Sequence, residues 1–163
     1  LRLMIERGYD QLASEERAVL DAGSVAGHTI AAPSIAAALQ LDLAAVEATC
    51  TSLARRGVFL RQLASDEWPD GTSAMQYRFI HSLYQRTLYD RLALDQRRQW
   101  HQRIGERIEA AYRGRVPQVA AELAMHFENA GVNEKSGALA GLLDGTFFFP
   151  NEKPQIFQAI EEK

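Results

Sequence analysis

One stretch of strong turn chemistry, Asp66 to Ser73 (DEWPDGTS), constrains this chain more than any other feature. Pro-Asp-Gly at its centre suits a tight reversal, because Pro presets one backbone angle and Gly tolerates a positive one. Segments of strand-like composition lie on either side, Val58 to Leu63 and Met75 to Ile80. The sequence therefore predicts a two-stranded β-hairpin with an exposed tip.

Helical spacing dominates the residues before this hairpin. A helix is predicted from Ser14, where a hydroxyl cap precedes two acidic residues, to Gly27. Residues 28–31 form a short extended segment, and Pro33 then introduces a short helix from Ser34 to Gln40. Apolar spacing predicts an earlier helix as well, from the positions of Leu3, Met4, Arg7 and Leu12.

Asp42 can cap a further helix, from Leu43 to Arg56, which stops at Gly57. Cys50 lies on the apolar face of this helix, so we expect it in the core. Short helices followed by a two-stranded hairpin follow the order of a winged helix, a variant of the helix-turn-helix. We therefore predict a winged-helix domain over residues 1–92.

The residues after the hairpin predict a helical arm, which we assign to residues 93–145. Within it, the amphipathic helix Val119 to Ala130 can pair with Glu134 to Leu143 as a helical hairpin. A break at Gly145 to Pro150 and a short helix at Pro154 to Glu162 are predicted next. Residues 146–163 form a tail with no assigned role. The expected fold class is mainly α, with one small β-hairpin.

Composition describes a soluble globular chain of 163 residues, with 47% hydrophobic and 24% charged residues. No apolar run reaches the roughly 18 residues of a membrane span, and charged residues near Leu1 argue against a signal peptide. Cys50 is the only cysteine, so no disulfide framework exists and a reducing compartment fits. We expect a cytoplasmic location. Because the chain begins without Met, we also expect it to be a piece of a longer protein.

Charge is segregated along the chain. Residues 71–118 hold nine arginines against four acidic residues, whereas both flanking segments are net acidic. Solvated helix faces with partners three or four positions away, such as Arg103, Glu106 and Arg107, account for most of these arginines. We expect one or two of them to meet an acidic neighbouring domain.

The sequence does not match the phosphate-binding or metal-binding motifs that it partly resembles. The stretch Gly23 to Thr29 resembles a phosphate-binding loop, but it is one residue short and has His28 where that loop needs lysine. The four histidines form no metal-binding pair, and Glu122 with His126 makes half a site at most. We therefore predict a non-enzymatic chain with no catalytic residue, no metal and no cofactor of its own.

DNA contact is the first functional alternative for a winged helix. The helix Leu43 to Arg56 is the one expected to enter the major groove, with Arg55 and Arg56 as candidate DNA or partner contacts. Together with its cap, Asp42, the helix carries four charged residues that sum to zero, and both arginines stand at its far end. Because phosphate neutralisation needs a cationic surface, this balance disfavours DNA binding.

His81 stands where the second strand gives way to a helix. A helix N-terminus offers free backbone N–H groups and the positive end of the dipole, so it favours a phosphate, to which a histidine can add a donor. The alternative is a half-buried histidine that caps the helix with its own ring. The residues alone favour the capping interpretation.

Several stretches together resemble a known family. They are LRLMIERGYDQLASEERAVLDAGSVAG, LARRGVFLR, EWPDGT, YRFIHSLYQRTLYDRL and RRQWHQRIGERIEAAY. They look like the segment that follows the ATPase core in bacterial STAND-class signalling ATPases, which are similar to MalT/LuxR-type regulators and to ATPases linked to adenylate cyclase or protein kinase domains. PQVAAELAMHFENAGVNEKSGALAGLL is similar to the first repeat pair of a tetratricopeptide (TPR) array. The resemblance covers about residues 1–133.

That resemblance implies a winged helix that acts as a regulatory lid on a preceding nucleotide-binding domain, followed by TPR repeats of the same parent chain. A histidine in the family's lid contacts the phosphates of bound ADP, and His81 is the matching position. ATP or ADP would then be bound by the parent protein rather than by this piece.

The function expected from the sequence is a non-enzymatic regulatory module of an ATP-dependent signalling switch. It would sense the nucleotide state of the preceding domain and relay that state to the helical arm. A DNA-binding transcriptional regulator is one alternative, and a protein-interaction scaffold that uses the helices from Asp95 onward is another. No membrane partner is expected.

Overall fold

The computed structural model describes residues 1–144, and within that range the chain is mainly helical with a small antiparallel sheet. The predicted break at Gly145 to Pro150 and the predicted helix at Pro154 to Glu162 lie outside the described residues. The eight α-helices of this range are α1 (Arg2–Asp10), α2 (Ser14–Ala26), α3 (Ala32–Leu39), α4 (Leu43–Arg55), α5 (Ser82–Arg91), α6 (Leu94–Ala111), α7 (Ala120–Ala130) and α8 (Asn133–Asp144). One 3-10 turn, Val116–Val119, precedes α7.

Five short strands accompany the helices: β1 (Thr29–Ala31), β2 (Leu60–Gln62), β3 (Asp66–Glu67), β4 (Ser73–Ala74) and β5 (Gln76–Phe79). Within the described range β5 lies between β1 and β2, and both pairings are antiparallel. Strands β3 and β4 form a separate ribbon at the tip of the predicted hairpin. The hairpin prediction was therefore incomplete, because the extended segment at Thr29 adds a third strand through its pairing with β5.

Of two predicted helix caps, one is confirmed and the other is wrong. Asp42 caps α4 as expected, since its Oδ2 accepts a hydrogen bond from the Ala45 N–H at 3.3 Å. Ser14 does not cap α2, because Ala13 occupies the cap position. Glu16 reaches back instead and accepts the Ala13 N–H at 3.1 Å, which satisfies one free backbone donor of the helix start.

The first helix forms where the sequence predicted it, but two of the residues that predicted it do not lie on its buried face. Leu3 and Met4 are 70% and 71% exposed, whereas Ile5 and Tyr9 on the same helix are buried. Tyr9 donates a hydrogen bond to Asp21 of α2 at 2.6 Å, and Arg91 of α5 lies over its ring at 4.5 Å. The first helix is thereby held to α2 and α5 through a tyrosine that the spacing argument did not use.

A single apolar core joins the sheet to the helices. The inner face of the sheet contributes Ile30, Leu60, Tyr77 and Phe79, and Cys50 of α4 packs in the same core as predicted. This arrangement buries apolar side chains on one face of each short strand, which supplies most of the stabilising free energy.

The arm packs directly against the sheet-containing part of the chain. Helix α6 lies on α3 at one side and on α7 at the other, and α7 pairs with α8. Gly105 of α6 permits a close approach to α7, because a Cβ there would lie 3.0 Å from the Phe127 ring. The core cluster continues through this contact as Ile104, Ile108, Leu123, Phe127 and Leu139.

The predicted exposed tip of the hairpin is in part buried. Trp68 lies in the turn between β3 and β4, yet it is 5% exposed. Its indole packs near the Tyr112 ring, at 6.2 Å between centroids, and under the Arg107 guanidinium, at 4.9 Å. Helix α6 therefore covers the tip of the hairpin, a contact that local turn chemistry does not reveal.

Candidate functional site

His81 lies two residues after the end of β5 and caps the start of α5. Its backbone is extended, with φ −140° and ψ 140°, and its Nδ1 accepts the Leu83 N–H at 3.0 Å. The ring therefore caps the helix, which agrees with the capping interpretation of the sequence, although the residue is exposed rather than half-buried. Because Nδ1 acts as the acceptor, the neutral ring carries its proton on Nε2. A hydrogen-bond donor thus remains available at the start of α5.

The backbone beside this histidine is strained. Phe59 has a positive φ of 61°, which bulky side chains rarely adopt, and its carbonyl accepts the Ile80 N–H at 2.9 Å. The Phe59 ring is held 5.1 Å from that of Tyr84 on α5. Packing of this ring and pairing of its carbonyl hold the unfavourable angle in place. Strained residues of this kind concentrate at functional sites.

Arg55 and Arg56, the candidate DNA or partner contacts, lie together at the end of α4 beside a shallow, open hollow. Small side chains of α4 form the floor of that hollow. Arg56 forms an ion pair with Glu16 of α2, and its Nε donates to the Ser52 carbonyl at 3.4 Å. One of the two arginine charges is thus compensated by a carboxylate within the chain.

The structure joins two histidines that no sequence motif relates. His101 of α6 and His126 of α7 face each other with 2.9 Å between their Nδ1 atoms, and both are buried. His101 Nε2 lies 2.9 Å from the Tyr89 hydroxyl of α5. Glu122, one turn before His126, has Oε1 4.0 Å from His126 Nε2. A polar chain thereby crosses the apolar seam from α5 to α7.

Burial keeps both rings neutral. Desolvation lowers the pKa of His101 to about 4, with the nearby Arg97 charge adding to the effect. Desolvation, followed by the proximity of His101, lowers the pKa of His126 to about 3. A hydrogen bond between two neutral Nδ1 atoms requires one donor and one acceptor. The carboxylate of Glu122 can only accept, so it favours the tautomer in which His126 Nε2 carries the proton.

One carboxylate, that of Glu122, lies beside the histidine pair. No group of three or more His, Cys, Asp or Glu side chains suited to a metal ion occurs within residues 1–144. Glu122 and His126 were expected to form half a site at most, and Glu122 in fact lies against the ring nitrogen that points away from His101. His126 Nε2 is buried without a hydrogen-bond partner among the described residues.

The sequence did not predict this histidine pair, although it held a partial signal for it. His126 follows Leu123 by three positions and directly precedes Phe127, so helical spacing places it on the buried face of α7. His101 is placed on the buried face of α6 in the same way, three positions before Ile104. Their contact depends on how α6 and α7 cross, which spacing within one helix does not specify.

The arginines of α6 do not behave as a simple solvated face. Arg107 Nη1 lies 3.0 Å from Asp70 Oδ2, and its Nη2 lies 2.8 Å from the Thr72 hydroxyl. Arg103 donates to the Ala38 carbonyl at the end of α3, at 2.8 Å. The prediction of partners within the helix was wrong for these two residues. They connect the arm to the hairpin tip and to α3.

A cavity of about 240 Å³ lies where the sheet, α3 and the arm meet. Two carboxylates, two aromatic rings and several hydroxyl or amide groups line it, whereas no basic residue of the described range does so. The residues that carry this chemistry are Thr29, Ser34, Asp66, Trp68, Tyr112 and Glu122.

Comparison with protein families, with curated proteins and with solved structures found no match to this chain. Within residues 1–144 no helix is both long and apolar enough to cross a bilayer.

Proposed function

We propose that the chain is a non-enzymatic regulatory module: a winged helix that acts as a lid on a nucleotide-binding domain, joined to the start of a TPR-like helical arm. The parent would be a STAND-class signalling ATPase that binds ATP or ADP. The observation that carries this proposal is His81, an exposed histidine that caps α5 through Nδ1 and leaves a donor at the helix start.

The order of elements supports the winged-helix part of the proposal. Helix α2 is followed by β1, then by α3 and α4, and the chain then returns through β2, the ribbon and β5. The sheet order β1-β5-β2 places the last strand between the first two. A winged helix uses this succession, with α4 in the position that reads DNA in DNA-binding relatives.

The chemistry at His81 supports a phosphate-sensing role. The start of α5 carries the positive end of the helix dipole, and no acidic residue occupies its first turn. The Leu83 N–H is engaged by the His81 ring and the Tyr84 N–H by the His81 carbonyl, so the imidazole Nε2–H is the donor offered to a terminal phosphate of ADP beside the helix dipole. A lid docked through such contacts stays closed over ADP and is released when the nucleotide state changes, which is a population shift.

The contacts between lid and arm support the relay. Arg103 and Arg107 join α6 to α3 and to the hairpin tip, and the core is continuous across the junction. A lid connected in this way cannot rotate without carrying α6 with it. Movement of the lid would therefore reorient the arm as a unit.

DNA binding is the less favoured function, because Glu16 compensates Arg56 on α4. Titration with duplex DNA at low salt separates the two functions. We expect no binding, whereas affinity that falls steeply as salt is added would establish the DNA-binding alternative.

The direct test of the lid uses the complete protein, with its nucleotide-binding domain. We expect His81→Ala to weaken ADP binding about ten-fold, as loss of a hydrogen bond to a charged group does. His28→Ala is the matched control, since His28 is exposed but lies before β1. Equal ADP affinity in His81→Ala and in the control would exclude the sensor role.

A further inference from the structure

The cavity between the sheet and the arm carries chemistry that the lid hypothesis does not use. Strands β1, β3 and β5 and helix α3 contribute one side of it, and α6, α7 and Tyr112 contribute the other. Its volume of about 240 Å³ is small beside the roughly 300–1,000 Å³ of most ligand pockets. The cavity is too small for a nucleotide and suits a compact molecule.

The charge of the lining selects for a cation. Asp66 and Glu122 both line the cavity, and no lysine, arginine or histidine of residues 1–144 does so. Arg107 lies nearby over the Trp68 ring, but its guanidinium is engaged by Asp70. Burial, followed by the charges of Asp66, Glu122 and Asp70, raises the pKa of Tyr112. Three carboxylates therefore act on this hydroxyl in addition to its burial.

A hydroxyl without a protein partner opens onto the cavity. Ser34 lines the cavity and is only 3% exposed. Its hydroxyl makes no hydrogen bond to any residue in the described part of the chain. By contrast, the hydroxyl of Ser24, which is also buried, donates to the Asp21 carbonyl at 2.7 Å. The oxygen is therefore available to a molecule held in the cavity, to which it can donate or from which it can accept a hydrogen bond.

The aromatic walls favour an organic ammonium over a bare metal ion. Trp68 and Tyr112 line the cavity with their rings tilted at 59°. Indole and phenol rings attract ammonium groups, whereas carboxylates and hydroxyls accept their N–H donors. No metal-binding group of three side chains occurs among residues 1–144.

From these observations we propose that the cavity binds a small alkylammonium ion, with Asp66 and Glu122 as counter-ions, Ser34 as a hydrogen-bond acceptor and Trp68 with Tyr112 as the aromatic wall. The site is separate from His81, so it stands whether or not the lid senses ADP. Because both the sheet and the arm line the cavity, the bound cation stabilises their junction.

Calorimetric titration with 1,4-diaminobutane tests the proposal, with 1,4-butanediol as an uncharged compound of the same length. We expect the diamine to bind with a dissociation constant below about 1 mM and the diol not to bind. Saturating diamine should also raise the unfolding temperature, because a ligand of the folded state stabilises it. Failure of the diamine to bind up to about 10 mM, or equal binding of the diol, overturns the proposal.

Matched variants locate the binding. Glu122→Gln preserves the shape of the side chain and removes its charge, so we expect at least a ten-fold loss of affinity for the diamine. Ser34→Ala should weaken binding several-fold. Glu128→Gln is the control, because Glu128 is an exposed acid of the same helix that does not line the cavity. Equal losses in Glu122→Gln and Glu128→Gln would show a general charge effect and contradict the assigned site.

Discussion

The buried pair His101 and His126 makes the free energy of unfolding depend on pH. The pH range follows from the difference between the pKa values of these histidines in the unfolded and folded states. In the unfolded chain each imidazole takes up a proton below about pH 6.5. In the folded protein burial lowers the pKa of His101 to about 4 and that of His126 to about 3. The unfolded state therefore binds more protons between these values. Stability is complete above about pH 6.5 and is lost progressively as the pH falls towards 4.

The magnitude follows from the same values. At pH 5 each histidine is almost fully protonated when unfolded and almost fully neutral when folded, which costs about 2 kcal/mol per residue relative to pH 7.5. The pair together should lower the free energy of unfolding by about 4 kcal/mol. That loss is a large part of the roughly 5–15 kcal/mol by which folded domains are stable.

The assay is urea unfolding at pH 7.5 and pH 5.0, followed by far-ultraviolet circular dichroism. A variant with both His101→Gln and His126→Gln keeps polar side chains in the seam but cannot titrate, so most of the pH dependence should disappear. His101→Gln alone should remove about half of it. His28→Gln is the control, and it should lose as much stability at pH 5.0 as the original chain does. Equal pH dependence in the double variant and in this control would refute the reasoning.

Other substitutions test the packing of the arm and of the core. Gly105→Ala should lower the free energy of unfolding by roughly 1–3 kcal/mol, since its Cβ would meet the aromatic ring of α7. Gly137→Ala is the control in α8. It should raise the free energy of unfolding by up to about 1 kcal/mol, because no atom of residues 1–144 lies within 4 Å of its Cβ and Ala favours a helix. Arg107→Ala should lower the free energy of unfolding by about 1–2 kcal/mol, because it removes an ion pair with Asp70 and a contact with an indole. The measurement is urea unfolding, with Arg98→Ala as the control. Cys50 should resist a thiol reagent until the protein unfolds, because burial raises its pKa to about 12; fast labelling of the folded protein would contradict its place in the core.

Local chemistry predicted the features that depend on a few neighbouring residues. The cap of α4 was predictable because its hydrogen bond joins Asp42 to Ala45, only three positions away. The apolar spacing of the same helix placed Cys50 in the core. The strand signals on either side of the Pro-Asp-Gly turn were also correct in position. In each case the determining residues are close in sequence.

Features set by helix crossing could not be predicted in this way. Trp68 was expected in an exposed tip, but α6 brings Arg107 and Tyr112 over it from about 40 residues away. The two buried histidines are 25 residues apart and depend on the close approach of α6 to α7 at Gly105. Spacing within one helix identifies a buried face without naming what that face contacts.

The cavity was also beyond prediction from local sequence, because its lining comes from several elements. Its lining combines a strand residue, Thr29, a helix residue, Ser34, and an arm residue, Glu122. None of these residue types in isolation indicates a binding site. Their meeting point is a property of three packed elements.

The most direct test of the proposed lid is hydrogen exchange at the start of α5 in the complete protein. The Leu83 N–H bonds to the His81 ring, so its exchange reports both the cap and any docking over it. We predict slower exchange of the peptide containing Leu83 with ADP bound than with a non-hydrolysable ATP analogue bound. The peptide covering α4 serves as the internal reference. Identical exchange at Leu83 in the two nucleotide states would contradict the account.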